Sequence, residues 1–402
     1  MLHSAILEEP IAASGDVVVT RSRIGALSTT DIRAVEAIWR RLASANPESP
    51  GQTLEFIALW AETQKIPEAD RLFVVGEVDG VPVALMPLHL ERRLGMLRLY
   101  RWMPGAHVGC NAPVVDSAKL KAMTADQRSE LWSHMLNTIR GDIVYLGHVP
   151  ELPHFAELGE HISADFLHRA EFTSWENANT TQRSKSRRKH DRQQGERLDA
   201  LGQVAFAELG NADGLAPILD VMFEQRAARF AAMGVRDPFA PPSIRDFYYR
   251  AAARDSAVKV RMHVLRLDGE IVAVRFNIVA GTRMFCLISS MSDDPRVQTG
   301  SPGKQCLLRV MQTVFDAGHT SFDMGTGFTD EKRHWCNVQI PVRQHYLPLT
   351  PLGSFAAAGH RAWHTARRRI KEDPRLLAFA KKVRAVTIRG KAAPAVKDEA
   401  AD

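Results

Sequence analysis

The chain has 402 residues, 45% apolar and 24% charged, a composition that excludes a disordered polymer and leaves room for two or three domains. Its four cysteines are scattered with no CxxC, which argues against a disulfide framework or a zinc knuckle, and no apolar run approaches the length of a membrane span. The net charge of +6 is uneven: residues 183–197 hold seven Lys/Arg against two acids and residues 359–391 eleven against two, so the body is acidic and two segments seek phosphates or an anionic surface.

In chain order, the N-terminus MLHSAILEEP carries Glu8 and Glu9 where a signal peptide needs a basic start and an unbroken apolar core, so a cytoplasmic protein is expected. Thr30 is placed to cap a helix with the apolar stripe Ile32, Val35, Ile38, Trp39 and Leu42, and a second helix follows over 54–62. Residues 72–88, LFVVGEVDGVPVALMPL, read as two strands joined at Asp79-Gly80, because Asp-Gly supplies the positive φ values of a tight hairpin turn. A helix over 126–140 then leads into a short strand ending at Leu146-Gly147.

The second half repeats this order. Asn211 or Asp213 is placed to cap a helix carrying Leu215, Ile218, Leu219, Met222 and Phe223, and a helix over 244–253 follows. The hairpin in 262–279 turns at Asp268-Gly269, and a helix over 303–317 leads into a strand ending at Met324-Gly325. Asp79, Gly80, Val83 and Ala84 align with Asp268, Gly269, Val272 and Ala273 at a constant offset of 189. Two copies of one α+β domain are expected, over 15–165 and 200–352. A basic stretch at 170–200 joins them and starts the second copy's first helix, and a basic helical tail with a disordered end occupies 353–402.

Between a strand over 284–290 and the amphipathic helix lies SDDPRVQTGSPGKQ. A Gly-rich turn running into a helix aims free backbone N–H groups and the positive end of the helix dipole at one point, a site for phosphate or pyrophosphate; equally, Gly300 and Gly303 can serve only to turn the chain. Pro302 suits the first helical turn, where no hydrogen bond is lost. The first copy has AKLKAMTADQRSE at the matching place, without glycine, so it is expected not to bind such a ligand and instead to shape a substrate cleft.

The order of hairpin, strand, Gly-rich turn, amphipathic helix and strand resembles the core of the GNAT acetyltransferases. There the turn holds the pyrophosphate of acetyl-CoA in a Q/R-x-x-G-x-G/A pattern; here residues 298–303 read Q-x-x-S-x-G, with Ser301 in place of the first glycine. The chain is more closely similar to the CelD, or BioF2-like, branch, a relative of the FemAB peptidyltransferases. The similarity rests on the Arg/Lys-rich stretch 183–192, LDG-x-x-VA at 267–273, SPG-x-x-LL at 301–308, and FD-x-G-x-G at 322–327 followed by Lys332 and Trp335. Glu331 stands where that branch often has an aromatic residue. The resemblance implies two tandem GNAT-like domains with mixed sheets flanked by helices. It implies an acyl-CoA-dependent N- or O-acyltransferase, with Gln298, Ser301, Gly303, Lys304 and Lys332 around the cofactor.

Attack of an amine on a thioester needs a deprotonated amine, a polarised carbonyl and a reprotonated thiolate. Asp323, Glu331 and His334 are the candidate acid–base groups, although a carboxylate capping local backbone and a solvated histidine are rival readings of Asp323 and His334. Cys306 and Cys336 have no placeable activating base and read as buried structural cysteines. Arg226 and Arg229, near Glu224, read as a solvated helix face or as a grip on an anionic acceptor. The histidines show no metal-ligand spacing, so no metal is expected.

The basic stretch lacks interleaved aromatics, which argues against nucleic acid. A sugar or cell-envelope precursor is the expected acceptor. An aminoacyl-tRNA-dependent transfer and a non-catalytic accessory role in polysaccharide biosynthesis are the alternatives. Residues 355–390 alternate Trp363, Ile370 and Leu376 with Arg and Lys, a pattern suited to peripheral contact with the inner face of a membrane.

Overall fold

The computed structural model describes residues 23–93 and 95–373. The first half contains β1 (Ile24–Thr29), α1 (Ile32–Leu42), α2 (Leu54–Thr63), β2 (Arg71–Val78), β3 (Val81–Arg93), β4 (Leu97–Trp102), β5 (Val114–Val115), α3 (Ser117–Ala122), α4 (Ala125–Asn137), β6 (Ile143–Pro150) and β7 (His161–Glu171). After the short α5 (Trp175–Asn177) and α6 (Lys185–Asp199), the second half runs β8 (Val204–Gly210), α7 (Ala216–Ala232), α8 (Pro242–Ala251), β9 (Val260–Leu267), β10 (Glu270–Ala280) and β11 (Arg283–Met291). It continues with α9 (Pro295–Gln298), α10 (Pro302–Asp316), β12 (Ser321–Thr326), α11 (Asp330–Trp335), β13 (Val338–Pro348) and α12 (Pro351–Glu372). The expected disordered end of the tail, and Glu8 and Glu9, lie outside the described residues.

Both hairpins turn where the sequence places them. Asp79 and Gly80 have φ of 52° and 76°, and Asp268 and Gly269 have 50° and 86°, so both central residues are left-handed, as a two-residue hairpin requires. The two turns share a further device. Asp79 Oδ1 accepts from the Arg23 amide at 2.8 Å while the Asp79 amide donates to the Arg23 carbonyl; Asp268 and Gln203 repeat both bonds. Each aspartate thereby ties its hairpin to the start of its own copy. The helix caps differ from expectation: Asp31 rather than Thr30 caps α1, and α7 begins without a side-chain cap. Asn211 instead spends its amide on the carbonyls of Ala251, Ala253 and Val258, closing the loop between α8 and β9.

The described strands form one sheet in the order β1-β2-β3-β4-β6-β13-β7-β12-β11-β10-β9-β8, with β5 on β3. Only β4/β6 and β11/β12 pair in parallel. The copies exchange their last strands: β7 of the first pairs with β12, β13 of the second pairs with β6, and β7 and β13 pair with each other at the centre. A boundary at 165 therefore falls inside β7. Helices α1, α2, α7 and α8 share one core on one face, where Phe56 and Phe247 meet at 4.8 Å; α4 and α10 cover the other face in separate cores.

Strand exchange buries charge at the centre. Arg169 on β7 is 1% exposed. Its Nε donates to Asp323 Oδ2 on β12 at 2.8 Å, its Nη1 to Glu48 Oε2 at 2.6 Å and its Nη2 to the Glu48 carbonyl at 2.9 Å. Arg283 on β11 completes the set by pairing with Glu48 Oε1 at 3.0 Å. Burial alone would raise the Glu48 pKa, but Arg169 and Arg283 more than reverse it and hold the carboxyl below its ordinary range. Replacing Arg169 with Met leaves buried Asp323 without an ionic partner and Glu48 with Arg283 alone, and is expected to cost about 3–5 kcal/mol, read as a fall in the urea midpoint. Because Glu48 has a depressed folded pKa, its contribution is present above its ordinary value near 4.5 and is lost as pH falls through the folded value. Glu48→Gln, less stable than wild type at neutral pH, is therefore expected to lose less stability on acidification, measured as urea midpoints from pH 7 down to 3.

Candidate functional site

Strands β11 and β12 pair only from Arg283–Phe285 to Ser321–Asp323, and then diverge. Against β10 the register of β11 slips by one residue: Phe276 faces Ile288 and Asn277 faces Cys286, leaving Leu287 unopposed. The divergence opens a cleft of about 830 Å³, part of it open to solvent, bounded by Arg275 of β10, the end of β11, the start of α10, the 226–229 face of α7, and Glu331.

At the start of α10, Ser301 takes left-handed φ and ψ of 51° and 62° and makes no side-chain cap. Its hydroxyl accepts from Gln194 of α6 at 2.7 Å, and its carbonyl takes the Lys304 and Gln305 amides. Pro302 has no N–H, so the Gly303 amide is the first-turn donor left for a ligand among the described contacts. The two glycines of the turn do different work. A Cβ on Gly300 would collide with Leu198 of α6, so this glycine lets α6 approach. A Cβ on Gly303 would meet only the flexible end of Met291, Sδ at 2.9 Å, at the cleft wall. Gln298 turns its side-chain N–H to the Ser292 carbonyl, and Lys304 stays half-buried with its charge felt at Asp330. Of the side chains named for cofactor binding, those of Gln298 and Ser301 are thus spent inside the protein.

The start of α4, the counterpart in the first copy, is built differently. Thr124 Oγ1 accepts from the Gln127 amide at 3.2 Å and Gln127 Oε1 accepts from the Thr124 amide at 2.9 Å, a reciprocal cap, and the place of Gly303 is taken by Asp126, whose carboxylate in the first turn opposes an anion.

The acid–base candidates separate. Glu331 lines the cleft, with Oε2 held by Arg275 Nη2 at 3.1 Å. Asp323 lies in the central ion network and also accepts from the Gly325 amide at 2.7 Å. His334 has Nδ1 against the Asp330 carbonyl at 2.6 Å and does not line the cleft. Lys332 is buried, and its ammonium donates to the carbonyls of Gly325, Thr326 and Gly327 at 3.2, 2.6 and 2.9 Å. All three of its protons are used, which leaves none for a phosphate; it holds the glycine loop that follows β12.

Arg275, missed in the sequence, is the buried hub of the cleft. It is 4% exposed, and its Nη2 donates to the Gly303 carbonyl as well as to Glu331, linking the turn to the acid. A charge within the strand VAVRFNIV, apolar but for Arg275 and Asn277, was the available signal. Cys306 and Cys336 are buried, with thiols pushed up to about 12 by burial, as expected of structural cysteines.

Three of the seven basic side chains of the stretch 183–197 turn inward, while Lys185, Lys189, Arg192 and Arg197 are exposed. Arg183 pairs with buried Asp191 and lies 4.8 Å over the Trp335 ring, which stacks on Trp175; Arg187 also binds Asp191, and Arg188 caps the carbonyls of Asn179 and Arg183. Trp335 thus anchors α6 rather than covering a ligand.

Residues 185–333 match the family of the acetyltransferase (GNAT) domain. No curated protein matches the chain. Among solved structures, FemX is similar over 79% of this chain and 94% of its own, at 12% identity and a TM-score of 0.50. The C-terminal DUF2156 domain of a lysylphosphatidylglycerol synthetase from Agrobacterium fabrum is similar over 82% and 94%, at 16% identity and 0.49. A tandem GNAT protein from the clavulanic acid biosynthesis pathway is similar over 82% and 99%, at 12% identity and 0.41. Residues 185–333 are a GNAT-type acetyltransferase domain, and with it the chain is an acyltransferase.

Proposed function

We propose that the second copy uses acyl-CoA, that the first is a degenerate copy shaping the cleft, and that the chain acylates an amine or hydroxyl of a saccharide or cell-envelope precursor. Membership of the CelD or BioF2-like branch is part of this proposal, as is the division into copies at 15–165 and 200–352. One observation carries it: the two helix starts have equivalent places in the fold, and that of α10 presents the bare Gly303 amide to a cleft, whereas that of α4 carries a Thr–Gln side-chain cap and the first-turn carboxylate of Asp126.

The cofactor would supply the activated thioester carbonyl. On this reading the Gly303 amide and the dipole of α10 hold its pyrophosphate, and Lys304 adds charge nearby. Glu331 is the proton acceptor, since Arg275 fixes one of its oxygens and leaves Oε1 for the acceptor's N–H or O–H. Asp323 and Lys332 are positioning residues for the loop after β12, and His334 lies off the cleft. An aminoacyl-tRNA-dependent transfer is less well supported, because Arg183, Arg187 and Arg188 of the basic stretch that would meet RNA are tied up inside the fold.

Calorimetry with acetyl-CoA tests the reading. Wild type is expected to bind, and Gly303→Val to fold but not bind, because its side chain pushes Met291 into the cleft; Gly303→Ala is the folding control. Wild type that takes up no acetyl-CoA, or a folded Val variant with native affinity, overturns it. Glu331→Gln is expected to keep acetyl-CoA affinity while thiol release falls roughly 10²–10⁴-fold.

A peripheral place at the membrane is favoured by α12. Ala357 and His360 face the body, the latter with Nδ1 2.9 Å from the Tyr346 hydroxyl. Leu352, Phe355 and Trp363 are exposed along the helix, at 44%, 81% and 62%. Among the described residues no helix is long and apolar enough to cross a membrane. Flanked in sequence by Arg367, Arg368 and Arg369, these exposed side chains suit the surface of an anionic bilayer. Phe355→Glu with Trp363→Glu is expected to abolish co-sedimentation with phosphatidylglycerol vesicles and to leave acetyl-CoA affinity unchanged.

A further inference from the structure

One wall of the cleft has no use in binding acyl-CoA as described above. Helix α7 presents Arg226 and Arg229 there, one turn apart. Arg226 is held in place: its Nη1 donates to the Ser289 carbonyl at 3.2 Å, and its guanidinium lies 4.5 Å from the Phe230 ring centre and 5.6 Å from that of Phe239. Neither arginine has a carboxylate within ion-pair distance among the described residues. The one carboxylate lining the cleft, Glu331, is already held by Arg275. Burial first, and then the neighbouring Arg229 charge, pull the Arg226 pKa below its ordinary value, and Asp237 offsets this only in part. Two like charges at the edge of a half-closed cleft, one of them held in place and neither ion-paired with a carboxylate, are a standing electrostatic cost that a bound anion reduces.

We propose that Arg226 and Arg229 bind an anionic group, phosphate or carboxylate, carried by the acceptor, so that the acceptor is a negatively charged amine or alcohol. The inference rests on the acyl-CoA reading for its division of the cleft. Helices α7 and α10 lie on opposite faces of the sheet: Val274 packs into the α7/α8 core and its neighbour Ala273 into the α10 core. A pyrophosphate on the α10 start is therefore on the far side from the arginine pair. The acceptor must approach the thioester from the side the cofactor leaves open, and that side carries the arginines. Their planar, multidentate donors suit an oxyanion better than a neutral sugar.

Thermal melts with inorganic phosphate as the probe test this, run with and without saturating CoA. Phosphate is expected to raise the midpoint of wild type in both conditions. In Arg226→Met and in Arg229→Met the rise in the presence of CoA is expected to vanish, with CoA affinity changed less than twofold. Met keeps the aliphatic contact with Phe230, and Arg229 is exposed, so at least the second variant is expected to fold as wild type. If CoA itself abolishes the phosphate response, or if either variant loses CoA affinity tenfold but keeps affinity for dephospho-CoA, the arginines serve the cofactor and the proposal falls. It also falls if both variants keep the phosphate response. If wild type binds no CoA, the acyl-CoA reading fails separately, and loss of the CoA-free phosphate response in both variants still supports the anion site.

Discussion

The guanidinium of Arg169 is the point at which the two copies become one protein. Each copy lends its last strand to the other's sheet, so neither half closes its own sheet, and the exchanged strands must be fixed in register where they meet. Arg169 does this from β7 by binding Asp323 on β12 and Glu48 from the loop after α1 at once. Removing three charges from water costs several kcal/mol per ion, and charge-assisted hydrogen bonds on every arm offset that cost. The same Asp323 accepts from the Gly325 amide, and the pairing of β12 with β7 is irregular between Asp323 and Thr326. The parallel pairing of β11 with β12 ends at this residue and the cleft begins. The position of the opening is thus set by the junction between the copies.

Within that frame, polar groups that look available in the sequence are used to hold shape. The Lys332 ammonium gathers the carbonyls of the 325–327 loop, where Gly325 and Gly327 adopt φ of 72° and 84°. Gln194 fixes Ser301, and Gly300 lets α6 press against the turn. What remains free to act is small: the Gly303 amide, Glu331 with its arginine, and the charged face of α7. A site assembled this way is rigid because nearly every donor around it is already committed.

The copies share hairpin clamp, parallel pair and divergence of strands. They part at the helix start, where α4 carries a Thr–Gln reciprocal cap and the acidic Asp126 and α10 carries a left-handed serine, Pro302 and Gly303. On the proposed reading the first-turn carboxylate repels a phosphate at α4, and the bare Gly303 amide admits one at α10.

By itself the sequence determined the local structure and the duplication. Asp-Gly dictates a hairpin because few residues tolerate two successive left-handed conformations, apolar stripes dictate helices, and the glycine turn before α10 follows from the need for close backbone approach. Glu331 and Gly303 could be singled out as candidates from the sequence alone, Gly303 in the SPG turn and Glu331 in the segment DEKRHW. Tertiary structure alone decided the strand exchange and the fate of the buried charges. Alternation along a strand says which face is buried and not which strand lies beside it. Arg169 finds Asp323 at 154 residues' distance and Glu48 at 121. Arg275, Lys332 and Arg183 likewise take their roles from partners that become neighbours only on folding, because a charge is indifferent to sequence separation and responds only to what stands within a few ångströms of it.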